Sequence, residues 1–111
     1  MAMKRSKKER LEAAGWRIGT AADFLGLTKE EELLIEMKLG LAASLRKRRA
    51  AKRLSQTQLA KRLGSSQSRV AKMEAADASV SIDLLVRALL ELGATRAQVA
   101  RAMAKQVRRA A

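Results

Sequence analysis

Gln56-Thr57-Gln58-Leu59-Ala60-Lys61-Arg62-Leu63-Gly64-Ser65-Ser66-Gln67-Ser68-Arg69-Val70-Ala71-Lys72-Met73-Glu74 is the stretch on which the fold turns. Leu59, Ala60 and Leu63 recur at helical spacing and stop at Gly64, and Val70 and Met73 share a face after it. The pattern predicts two short helices joined by a tight turn. Ala60 is small where two helices must cross closely, and Gly64 can take the left-handed backbone that such a turn needs. Ser66 offers its hydroxyl as the cap of the second helix. Leu59, Leu63, Val70 and Met73 then supply a shared core.

Upstream, Thr28-Lys29-Glu30-Glu31 places a capping hydroxyl three residues before a carboxylate, and the acidic first turn suits the positive end of a helix dipole. A long helix is expected from about Lys29 to Arg53, weakened only by Gly40, at roughly 1 kcal/mol relative to alanine. Before it, Trp16, Ile18, Phe24, Leu25 and Leu27 make one short helix that Gly26 ends. Downstream, a helix opens at Ser81, turns Ile82, Leu85, Leu89 and Leu92 inward and ends at Gly93. A last helix begins at Thr95 and runs through Val99 and Met103 toward Val107, with Arg108 and Arg109 frayed. The chain contains no proline and only 2% aromatic residues, so an all-α fold is expected throughout.

Charge narrows the function. Lys and Arg number 24 against 11 Asp and Glu, a net charge of +13 on 111 residues, which favours a polyanion or a membrane surface as partner, nucleic acid first. The chain has neither Cys nor His, so thiolate and imidazole chemistry and the usual zinc and haem ligand sets are excluded. No enzyme activity, metal or cofactor is expected. Ser44-Leu45-Arg46-Lys47 fits the serine and lysine spacing of penicillin-binding enzymes, but the accompanying elements are missing. Between Glu36 and Glu74 there is no acidic residue, while Lys38, Arg46, Lys47, Arg48, Arg49, Lys52, Arg53, Lys61, Arg62, Arg69 and Lys72 all fall in that interval. A merely solvated surface interleaves both signs, so this segregation points to a phosphate-contacting surface.

The Gln56 to Glu74 stretch resembles the helix-turn-helix of phage repressors and Cro, the xenobiotic-response-element family. The resemblance extends from about Leu41 to Gly93 and implies a lambda-repressor-like five-helix domain, preceded here by a short helix and carrying an extended first helix. It implies that Gln67, Ser68 and Lys72 read base edges in the major groove. Gln56 would donate to a phosphate and brace the reading helix, with Ser66 and Arg69 on phosphate or flanking contacts. Arg53, Lys61 and Arg62 are further phosphate candidates. Ala60, Gly64 and Val70 would be structural, as would Arg49 and Glu74, which match a family pair bridging the preceding helix to the end of the reading helix. The resemblance also implies a homodimer acting as a repressor.

Leu33, Leu34 and Ile35 are consecutive, so one packing face cannot hide all three, and Glu30, Glu31, Glu32 and Glu36 surround them. These seven residues are expected to meet a partner protein. The run from Gly15-Trp16-Arg17-Ile18-Gly19 through Phe24-Leu25-Gly26-Leu27-Thr28 looks like antitoxin-like regulators found beside toxins of the RelE and host-inhibition-of-growth types. That implies an autorepressor with a toxin partner; the alternatives are a toxin neutraliser for which DNA binding is secondary, and a solitary repressor. The expected organisation is a basic flexible arm over residues 1–15, an extension for dimer or partner contact over 16–40, the DNA-binding domain over 41–93, and a helix with a basic tail over 94–111. No apolar run suggests a membrane span and no export signal follows the basic start, so a cytoplasmic, DNA-associated protein of a bacterium is expected.

Overall fold

The computed structural model describes residues 26–105. These contain five α-helices and no strand: α1 (Lys29–Ala51), α2 (Gln56–Leu63), α3 (Gln67–Glu74), α4 (Ile82–Glu91) and α5 (Arg96–Ala104). The architecture is the all-α, lambda-repressor-like arrangement with an extended first helix that the sequence predicts. The basic arm, the short helix from Trp16 with Phe24, and the tail at Val107, Arg108 and Arg109 lie outside the described residues. Gly26, expected to end that short helix, has a left-handed φ of +75°.

Two units divide the chain: Met37–Lys105, and Met1–Glu36 together with Gln106–Ala111. Of the latter, residues 26–36 are described. Here the Thr28 hydroxyl accepts the Glu31 N–H at 3.1 Å while the Glu31 carboxylate accepts the Thr28 N–H at 2.8 Å, the reciprocal cap that the sequence predicts. Leu33, Leu34 and Ile35 are 56%, 50% and 36% exposed, as three consecutive positions on a helix require.

Within Met37–Lys105 the core takes Leu41 and Leu45 from α1, Leu59 from α2, Val70 and Met73 from α3, Leu85 and Leu89 from α4, and Leu92 beyond it. Burying each such side chain contributes about 1.5 to 3 kcal/mol, the upper end for leucine and methionine. Leu63 and Ile82 are only partly buried against this cluster. Val99 and Ala102 bring α5 into the same core. At Gly40, α5 lies close against α1: a Cβ built there would lie 2.2 Å from the Ala102 carbonyl oxygen. The one weak helix former in α1 is thus the residue that lets the last helix pack.

Every helix of this unit that starts within it starts on a hydroxyl. Ser55, Ser66, Ser81 and Thr95 accept the N–H groups of Gln58, Arg69, Leu84 and Gln98 at 3.0 to 3.1 Å. Helix ends depart further from expectation. α1 stops at Ala51 and not near Arg53, because Arg53 turns left-handed at φ 58° and the Leu54 N–H closes back on the Arg49 carbonyl at 3.1 Å. α5 stops at Ala104, short of Val107, because Lys105 is extended.

Candidate nucleic-acid interface

The two helices on which the sequence reading turns pack closely, and Ala60 is buried. Gly64 joins them at φ 66°, with the Ser65 N–H donating to the Ala60 carbonyl at 2.8 Å, so the turn has the left-handed geometry expected of that glycine. On α3, Val70 and Met73 point inward, which leaves Gln67, Ser68, Arg69 and Lys72 exposed. Ser68 and Lys72 stand four residues apart and share a face. A groove beside that face is lined by Ser66, Ser68, Arg69, Lys72, Ser79 and Val80. Ser66 accepts the Arg69 N–H and keeps its own hydroxyl proton free to donate outward.

Behind the exposed face runs a chain of hydrogen bonds that fixes α3. Arg49 of α1 grips Glu74 with two nitrogens, Nε and Nη2, the latter at 3.1 Å, and its Nη1 donates to the Leu54 carbonyl at 2.7 Å. The side chains are 18% and 5% exposed, so the pair is largely removed from water. The hydrogen bond to Glu74 raises the Arg49 pKa further above its ordinary value, against the opposing effect of burial. Removing one partner would strand the other, at a cost of about 3 to 5 kcal/mol for a fully buried pair and less here.

The same carboxylate also accepts from the Gln56 amide nitrogen at 3.1 Å, and the Gln67 amide nitrogen donates to the Gln56 carbonyl oxygen at 2.7 Å. This order has a chemical cause. A carboxylate only accepts, so the Gln56 nitrogen must face Glu74, its oxygen must face Gln67, and Gln67 must answer with its nitrogen. Among the described residues nothing else pairs with the Gln67 side chain, which leaves its carbonyl oxygen and one N–H to offer. Those are the acceptor and donor that the adenine edge requires.

Residues 45–99 match the family model described as Helix-turn-helix, about half of the chain. Residues 45–99 are a helix-turn-helix domain. The match begins at Leu45 in the last third of α1 and ends at Val99 in α5, so it takes in all of α2, α3 and α4. The match supports a DNA-binding regulator of transcription. Neither the curated proteins nor the solved structures give a significant match to the chain.

The helix-turn-helix brings some sequence-predicted residues together and separates others. Gln56, Gln67, Glu74 and Arg49 form one hydrogen-bonded set, and Ser66, Ser68, Arg69 and Lys72 one groove. Arg62 lies apart, beside a groove with Arg87 and Glu91. Lys61 is exposed on the last turn of α2, and Arg53 on the corner after α1. Three further groups carry no sequence signal of the kind that marked the motif. The Asp77 carboxylate accepts the Ser79 N–H at 2.9 Å and the Ser79 hydroxyl at 2.5 Å. Those bonds, the hydroxyl first, with nearby Lys72 and Lys38, hold it below the usual carboxylate range. Lys38 reaches the Asp77 carbonyl, and Arg48 donates to Gln98 of α5 at 3.0 Å. Among the described residues no helix is long and apolar enough to cross a membrane.

Proposed function

We propose that this protein is a sequence-specific repressor that binds its operator as a homodimer, with α3 in the major groove. The observation that carries the reading is the free acceptor and donor of Gln67, held in place by Gln56 and Glu74 on an otherwise exposed helix face. Gln67, Ser68 and Lys72 read bases. Ser66 and Arg69 hold phosphates at the rim, Gln56 braces Gln67, and Arg53, Lys61 and Arg62 meet the flanking backbone. Two copies would set their α3 helices about 34 Å apart, one helical turn of DNA, on an inverted repeat.

The test uses a duplex selected by the protein from a randomised library, alongside a random duplex. Gln67→Ala is expected to cost about 1 to 3 kcal/mol on the selected duplex and almost nothing on random DNA. Arg69→Ala is expected to weaken both, and to lower the slope of log affinity against log salt by about one. Equal losses on both duplexes for Gln67→Ala would remove α3 from the role of reading helix.

A second reading is favoured by the exposed Leu33, Leu34 and Ile35 among Glu30, Glu31, Glu32 and Glu36. This surface has the apolar centre and acidic rim that a basic toxin of the RelE or host-inhibition-of-growth type would fit, which makes the repressor the antitoxin of such a pair.

A further inference from the structure

Helix α1 reaches α3 and the turn after it at two places, and only one of them belongs to the reading above. Arg49 takes Glu74. Eleven residues earlier, three turns along α1 and on the same side of the helix, the Lys38 ammonium donates to the carbonyl oxygen of Asp77 at 3.1 Å. Asp77 follows Ala76, whose left-handed φ of 54° ends α3. The Asp77 N–H closes back on the Lys72 carbonyl at 3.0 Å, and its carbonyl accepts the Val80 N–H at 3.0 Å as well as Lys38. The end of α3, the loop into α4 and α1 therefore meet at one residue, Asp77.

That turn needs holding. Alanine at positive φ is strained by roughly 1 to 2 kcal/mol relative to right-handed backbone, so the turn at Ala76 persists only where its surroundings fix it. The C-terminal end of α3 carries the negative end of the helix dipole, which favours a cation there. The ammonium of Lys38 supplies both the charge and the bond.

We propose that Lys38 is a positioning residue for DNA reading: with Arg49 it clamps the C-terminal end of α3 from α1, setting the pitch of the helix and the place of Lys72 without touching DNA itself. The inference rests on the proposed reading role of α3, but the clamp exists in the free protein and is measurable there. Lys38→Met keeps the aliphatic stem and removes the donor, whereas Lys38→Arg keeps a donor.

Two measurements on the full chain test it. Amide hydrogen exchange without DNA is expected to quicken at Asp77 and Val80 in Lys38→Met and to return toward the parent rate in Lys38→Arg. On the library-selected duplex, Lys38→Met is expected to lose about three- to tenfold in affinity with an unchanged salt slope, and Lys38→Arg to recover most of it. A slope lower by about one, with random DNA weakened equally, would make Lys38 a phosphate contact and overturn the clamp. Unchanged exchange at Asp77 and Val80 would overturn it too. A parent protein that prefers no duplex defeats the reading function instead, and with it the positioning role, while the exchange result alone says whether Lys38 holds Asp77.

Discussion

Arg53 carries a long cationic side chain on a backbone that favours glycine, φ 58°, at the point where α1 ends. Holding any L residue there costs about 1 kcal/mol. Arg53→Gly is therefore expected to leave folding stability level or raise it by up to about 1 kcal/mol in thermal unfolding, while reducing the salt slope of DNA binding if Arg53 meets a phosphate. Asp77 makes a prediction in pH. Its carboxylate binds a proton at lower pH when folded than when unfolded, so its contribution is complete above the unfolded pKa and is lost as pH falls through the folded one. Acid unfolding of Asp77→Asn should consequently show a shallower loss of stability below about pH 4 than the parent. The Arg49 and Glu74 pair was legible because both partners are charged side chains at positions that the resemblance pairs. Lys38 on the Asp77 carbonyl was not, since a backbone acceptor has no letter in the sequence.

At the scale of the helix, Gly40 separates propensity from packing. Alanine is the better helix former by about 1 kcal/mol, yet its Cβ would meet the Ala102 carbonyl oxygen at 2.2 Å, an atom held in the backbone of α5. Gly40→Ala is expected to destabilise the protein by about 1 to 3 kcal/mol in denaturant unfolding, the overpacking cost exceeding the propensity gain. A rise in stability would mean that α5 shifts freely away from α1. The starts of the helices were legible because serine or threonine stands at each cap. The end of α3 was legible too, near Ala75 to Asp77, whereas α1 stops two residues before Arg53. What nothing announced was the left-handed backbone at Arg53 and Ala76, neither of them glycine.

Across the molecule, charge is sorted along α1: glutamates in its first turns, arginines in its last. The all-α class and the helix order followed from composition and spacing, whereas the separation of Arg62 from the α3 groove depended on how α2 sits against α4 and could not be read from a run of basic letters. If the acidic half serves a partner protein and the basic half DNA, Glu30→Lys with Glu32→Lys should leave affinity for the selected duplex within about twofold, or raise it through added positive charge, and weaken a cognate toxin complex. A collapse of DNA binding in the intact fold would join the two functions on one surface.

The hydrogen-bonded order from Glu74 through Gln56 to Gln67 also bears on how such a regulator can diverge. Guanine presents two acceptors in the major groove, and Gln67 cannot offer two donors by turning its amide over without breaking its tie to Gln56. A lineage that came to need guanine at that step would have to replace Gln67 outright and rebuild what Gln56 contacts. Ser68 and Lys72 have no such inherited constraint. If Gln67, Ser68 and Lys72 read bases as proposed, duplicated copies of this regulator are expected to keep the operator base facing Gln67 and to part company first at the bases facing Ser68 and Lys72.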